Sequence, residues 1–162
     1  MARVASGDEA AFEELVRRTK ALVAGIIHRY VGHGRETEDL AQEVYLRVWE
    51  ARARWEPTAR FSTWIGTIAA RLCLNEREKL RRRETSALPD VPATAEERVG
   101  EDESAAVRAA VLSLPDAQRM AVVLRYFGGM SDREAAEAMG QSLSALQALL
   151  FRARQKLVEV LR

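Results

Sequence analysis

Apolar residues return every three or four positions through Phe12, Leu15, Val16, Leu22, Val23, Ile26, Ile27 and Tyr30. That is the spacing of one buried helical stripe and predicts a first helix over Asp8 to Tyr30. Asp8 or Ser6 can cap it, and Gly32 and Gly34 stop it. A second helix is expected from Glu38 to Arg54, with Leu40, Val44 and Val48 inward and Asp39, Glu43, Arg47 and Glu50 on another face. Pro57 breaks the pattern, because proline clashes with the preceding turn. A third helix follows from Ser62 to Arg83, capped by Ser62 or Thr63, with Ile65, Ile68 and Leu72 as its core line. Three amphipathic stripes can cover one another, so residues 1–84 are expected to form a three-helix bundle.

The periodicity then fails. Residues 85–104 hold Pro89 and Pro92, six acids against one base, and no apolar stripe, which predicts a flexible acidic linker. Pattern resumes with a helix over Ser104 to Ser113 and another from Leu114–Pro115 to Phe127, proline occupying the first helical position. Gly128 and Gly129 end it. Ser131-Asp132-Arg133-Glu134 has the spacing of a capping box, opening a short helix closed by Gly140. The last helix begins near Ser142 or Ser144, with Leu146, Leu149, Leu150, Ala153, Leu157 and Leu161 as its stripe. Helix, glycine turn, helix over Ser131 to Arg154, with Ala136, Gly140 and Leu146 at the crossing, is a helix-turn-helix or a plain helical hairpin. The expected architecture is therefore all-α: two small helical domains, 1–84 and 105–162, on an acidic tether.

Composition refines this picture. Of 162 residues 48% are apolar, and the net charge is only +1. Residues 1–84 carry 16 basic and 13 acidic side chains, and residues 105–162 carry eight and five. Two mildly basic ends of a near-neutral chain argue against strong autonomous DNA binding, which scales with neutralised phosphates. No stretch reaches the roughly 18 apolar residues of a membrane span. The start, MARVASGDEAAF, is not a secretory signal. One cysteine, Cys73, excludes an internal disulfide and fits a reducing cytoplasm. His28 and His33 lack companions at ligand spacing, so no metal or other cofactor is expected.

The chemistry concentrates between Trp49 and Arg83. Trp49, Trp55, Phe61 and Trp64 crowd the turn among Arg52, Arg54 and Arg60, and Arg77, Lys79, Arg81, Arg82 and Arg83 end the following helix. Aromatics beside guanidinium groups suit unstacked bases and phosphates. Trp49 and Trp64 equally suit a bundle core, and the basic run a solvated helix end. Leu46 and Trp49 beside a polar face point to a partner surface.

Two stretches resemble regions two and four of the extracytoplasmic-function (ECF) group of bacterial sigma factors. The first is Asp39-Leu40-Ala41-Gln42-Glu43-Val44-Tyr45-Leu46-Arg47-Val48-Trp49, then Phe61-Ser62-Thr63-Trp64-Ile65 and Ile68-Ala69. The second is Leu114-Pro115, Gln118-Arg119, Leu124-Arg125-Tyr126-Phe127, Gly129-Met130-Ser131, Glu134 and Phe151-Arg152-Ala153-Arg154. The resemblance implies a dissociable specificity subunit of RNA polymerase core, held in check by an anti-sigma factor that is often membrane-bound. It implies core binding by Asp39, Gln42, Glu43, Leu46 and Arg47. It implies −10 promoter contacts from Trp55, Arg60, Phe61, Trp64, Arg71, Asn75, Arg81 and Arg82. It implies −35 contacts from Ser144, Gln147, Ala148, Phe151, Arg152 and Arg154. The linker would pass through the polymerase. The family often has Asn where Arg71 stands, Lys or Arg where Gln147 stands, and Arg where Leu149 stands.

No nucleophile with a base and no phosphate-cradling loop is present, so an enzyme is not expected. Two other classes stay open: an autonomous helix-turn-helix regulator, which would bind a palindrome as a dimer, and a bundle that captures a protein without touching DNA.

Overall fold

The computed structural model describes residues 1–86 and 105–162, and every described element is helical. A four-residue helix, α1 (Ala2–Ala5), precedes the expected ones. Its Val4 is 1% exposed, and the Arg3 guanidinium binds the Asp8 carboxylate at 2.6 Å. So short a helix has too few apolar positions to show a period. α2 (Glu9–Val31) starts where Asp8 accepts the Ala11 N–H at 3.0 Å and stops at Gly32, whose φ of +91° suits glycine. α3 (Arg35–Ala51) begins three residues earlier than expected. The reason is Thr37, which is buried and donates its hydroxyl to the Gly32 carbonyl at 3.2 Å. A 3-10 turn (Arg52–Arg54) follows, then α4 (Phe61–Ser86).

α4 corrects three expectations. It starts at Phe61, with the Thr63 and Trp64 amides both bonded to the Arg60 carbonyl, so neither Ser62 nor Thr63 is its cap. Its buried line is Ile65, Gly66, Ala69, Ala70 and Cys73, while Ile68 and Leu72 are only half-buried. It also runs through Thr85 and Ser86, whose hydroxyls donate back to the Arg81 and Arg82 carbonyls. The tether expected at 85–104 therefore begins inside a helix, and the rest of it lies outside the described residues.

Beyond it come α5 (Ala105–Leu112), α6 (Asp116–Val122), α7 (Asp132–Ala138) and α8 (Leu143–Val160). Pro115 stands one place before α6 rather than at its first position. α6 runs into one π turn, Val123–Phe127, that no sequence period reveals. The turn leaves Gly128 so close to the Leu124 carbonyl that a Cβ would stand 2.8 Å from it. The capping box of α7 is complete: Ser131 Oγ accepts the Glu134 N–H at 3.2 Å and Glu134 Oε2 accepts the Ser131 N–H at 2.7 Å. Gly140 (φ +64°) ends α7, its N–H bonded to the Glu137 carbonyl and that of Gln141 to the Ala136 carbonyl, the Schellman pattern. Ser142, not Ser144, caps α8. Leu161 falls beyond the end of α8 and is exposed, so the stripe of α8 stops at Leu157.

α2, α3 and α4 form the bundle; α6, α7 and α8 form the helix-turn-helix unit; α5 packs against α2, α6 and α8. The two units share one apolar core, for α4 meets α7 and α2 meets the π turn. Cys73 is fully buried, and that burial pushes its thiol up to about 12.

Candidate polymerase and nucleic-acid surfaces

The five residues of α3 expected on one docking face divide between two grooves. Gln42 and Leu46 turn toward α2, where Phe12, Val16, Tyr45 and Trp49 make an apolar floor rimmed by Glu9 and Glu13. Leu46 is 56% exposed, a large apolar area for a leucine on a helix whose other face is fully buried. Asp39, Glu43 and Arg47 turn the other way, lining a charged groove against Asn75, Lys79 and Arg82 of α4. Arg47 Nε donates to Glu43 at 2.7 Å, and that bond holds the guanidinium pKa above its ordinary value.

The four turn aromatics also separate. Trp55, Phe61 and Trp64 form a ladder, with ring centroids 6.3 Å apart edge-on and then 5.6 Å apart tilted. All three are half-buried, so each keeps some ring surface open. Trp49 leaves them: its ring lies 5.0 Å from Phe12, and the Arg52 guanidinium covers it at 4.1 Å. It belongs to the apolar groove beside Leu46. Trp64, Arg71 and Asn75, seven and four residues apart on α4, line one further groove with Arg54.

The basic end of α4 is internally balanced. Glu78 sits between Arg81 at 3.5 Å and Arg82 at 3.2 Å, and Glu76 is 3.7 Å from Lys79. The Glu78–Arg82 spacing of four is the favourable order. Arg60 stands apart from the other −10 candidates. Its Nη2 donates to the Gly129 carbonyl at 2.9 Å and lies 3.5 Å from Glu134.

On α8, Ser144, Gln147, Phe151, Arg152 and Arg154 are exposed and Ala148 is half-buried. Ser144, Gln147, Phe151 and Arg154 follow steps of three and four along one line; Arg152 flanks it. Phe151 is 60% exposed. Leu149 instead packs against the core, which accounts for an apolar side chain there.

Arg119 is the cation whose depth the sequence did not reveal. It is 12% exposed and donates to the carbonyls of Tyr30 (2.7 Å), Leu112 (2.6 Å) and Leu114 (2.9 Å). Burial lowers its pKa from the ordinary value. Thr63 was expected to cap a helix, and its hydroxyl donates to Glu134 Oε1 at 3.0 Å instead. The Glu134 carboxyl is held below its ordinary pKa, chiefly by the Ser131 N–H. His28 and His33 lie 4.5 Å apart, and burial foremost keeps His28 below its usual pKa. No group of three or more metal-ligating side chains and no helix long and apolar enough to cross a membrane occurs among the described residues.

A bundle with an exposed apolar groove and an aromatic ladder is thus followed by a capped helix-turn-helix whose second helix is open. Residues 15–83 match Sigma-70 region 2, and residues 104–157 match Sigma-70, region 4. The RNA polymerase sigma factor CarQ of Myxococcus xanthus is 33% identical over 166 residues, covering 99% of this chain and 95% of CarQ. The ECF RNA polymerase sigma factor SigK of Mycobacterium bovis is 30% identical over 156 residues, covering 90% of this chain and 82% of SigK. The chain belongs to the ECF family of sigma factors. Its fold is shared by the sigma factor RpoE of Bartonella quintana, solved with the anti-sigma factor NepR, at a TM-score of 0.77 and 20% identity over 93% of this chain and 96% of that one.

Proposed function

We propose that this ECF sigma factor joins RNA polymerase core through the apolar groove of α2 and α3, with Gln42 and Leu46 in the contact and Asp39, Glu43 and Arg47 on its flank. Domain 1–84 carries this contact and −10 recognition; domain 105–162 carries −35 recognition; residues 85–104 join them. At the −10 element a flipped base stacks on the Trp55–Phe61–Trp64 ladder, while Arg60, Arg71, Asn75, Arg81 and Arg82 border the single strand. Flipping costs a few kcal/mol, and stacking contributes about 1–3 kcal/mol per base, so one or two stacked bases offset it. At the −35 element α8 enters the major groove, where Gln147 suits adenine and arginine would suit guanine; Ser144, Ala148, Phe151, Arg152 and Arg154 surround it. The protein catalyses nothing itself, works in the cytoplasm, and is silenced by an anti-sigma factor that covers the core-binding groove.

The observation that supports this reading most is Leu46: a leucine held open to solvent on the same helix face as Gln42 and Trp49, in a bundle that precedes a helix-turn-helix. Gel shifts with promoter DNA test it. Binding should be weak with the chain alone and promoter-specific once core is added. Tight binding to a palindrome without core would favour an autonomous regulator, and no binding in either case a protein-capture module.

A further inference from the structure

α8 carries two lines of residues on opposite sides. Leu146, Leu150, Ala153 and Leu157 pack on the core. Ser144, Ala148, Phe151, Gln155 and Val158 run along the other side in steps of four and three; Ala148 is half-buried and the rest are exposed. Strict alternation of three and four is the period of a coiled-coil seam. Among the described residues seven large apolar side chains stand exposed, and four of them lie from Phe151 to Leu161. Base reading does not account for them. A helix in the groove reads with its N-terminal part. Val158 stands about 21 Å along the axis from Ser144, against a major groove about 12 Å wide.

The flanks of this line carry opposite charges. Arg154 borders one side and Glu159 the other, and neither has an ion-pair partner among the described residues. A carboxylate at that edge repels phosphate and favours a protein occupant.

We propose that the open face of α8 from Ser144 to Val158 is a self-association surface, on which a second copy of the chain lays its own α8 in parallel as a short two-stranded coiled coil. Direction follows from charge. In an antiparallel pair each flank meets itself, arginine against arginine. In a parallel pair Arg154 meets Glu159 of the second copy, five positions on, the step that joins facing flanks of a parallel coil. The two-fold axis repeats that pair on the other side. Phe151 and Val158 fill the seam. Gln155 between them fixes the register, as a polar seam residue does at a cost in stability. Five seam residues are far fewer than the roughly 20–30 per side of a stable interface, so the pair is weak and reversible. The seam includes Ser144, Ala148 and Phe151. On the function proposed above, the dimer is therefore closed to −35 DNA; the pairing itself does not rest on that reading.

Sedimentation of the full chain, without DNA or core, tests the pairing. The average mass should rise toward that of a dimer as concentration enters the millimolar range. Val158→Asp should hold the chain monomeric. Arg154→Glu should weaken association by about fivefold or more, since two attractive pairs become repulsive. Adding Glu159→Arg should restore it, with helicity by circular dichroism unchanged throughout. Val158→Cys should give a disulfide-linked dimer on mild oxidation, because a parallel pair brings that position against itself; Cys73 is buried and takes no part. A monomer at every concentration overturns the proposal. So does a dimer that neither Val158→Asp nor Arg154→Glu alters, or one that gives no cross-link. Failure of promoter binding in the gel shift would sink the sigma mechanism and leave this equilibrium standing.

Discussion

The bundle and the helix-turn-helix unit reach stability by different routes. α2, α3 and α4 run 23, 17 and 26 residues, long enough for a buried stripe to organise each helix. α5, α6 and α7 run eight, seven and seven residues, too short to persist alone. The C-terminal unit depends instead on its ends: the Ser131–Glu134 box, the Ser142 cap and Gly140 at positive φ. The candidate surfaces divide as well. The candidate C-terminal site is one exposed line on α8, whereas the candidate N-terminal sites are shared among α2, α3, α4 and the turn. A surface on one helix, such as the 18-residue α8, presents itself as a linear pattern; a surface built between helices exists only once they pack.

The sharpest way to break this comparison is one change made in two places. Leu146→Ala, at 0% exposure, should destabilise the chain by about 2–5 kcal/mol, read in denaturant melts. Leu46→Ala, at 56% exposure, should shift stability by no more than ~0.5 kcal/mol yet abolish co-purification with core. If Leu46→Ala leaves co-purification intact, the apolar groove is not the docking site. Next in size, Arg152→Ala should weaken −35-dependent transcription by about 1–3 kcal/mol of binding while core affinity stays the same. Unchanged output at promoters that depend on that element would remove Arg152 from the reading surface.

A smaller effect is expected at the cap. Ser131→Ala should cost about 1 kcal/mol, seen first as faster amide exchange in α7. The same end should loosen in acid. Glu134 has its folded pKa depressed, so its contribution is present above the unfolded value of 4.5 and fades as pH falls through the lower folded value. A cap stability that rises in that acidic window would contradict the assigned bond from the Ser131 N–H. Smallest of all, Glu78→Gln should release Arg81 and Arg82, tightening −10 strand binding a few-fold and steepening its salt dependence. No change in salt slope would show that these arginines do not meet phosphate.

Much of the fold was legible because helices declare themselves locally. Asp8, Ser131, Glu134 and Gly140 act where their spacing placed them, and Val44, Val48 and Ile65 are buried as their period required. The candidate −35 residues came from the family resemblance, and they lie on a single helix. The α3 surface was not legible. The family resemblance grouped Asp39, Gln42, Glu43, Leu46 and Arg47 on one helix, but α2 and α4 pack on either side and divide them between two grooves. The Trp49 ring went to Phe12 rather than to the other aromatics, since neighbouring helices, not sequence distance, set what a half-buried ring can reach.

The chain alone therefore determined the order of the long helices and most of their caps, because caps, glycines and a three-to-four step act over a few residues, whereas the start of α3 and the ends and buried line of α4 came from packing. It also carried the order of two family-specific segments. Only the folded arrangement decided that Thr63 and Arg60 meet Glu134, that Arg119 reaches the Tyr30 carbonyl, and that Met130 covers Gly66. Those partners lie 64 to 89 positions apart. Contacts at such separation follow from how stripes pack, which no local period encodes.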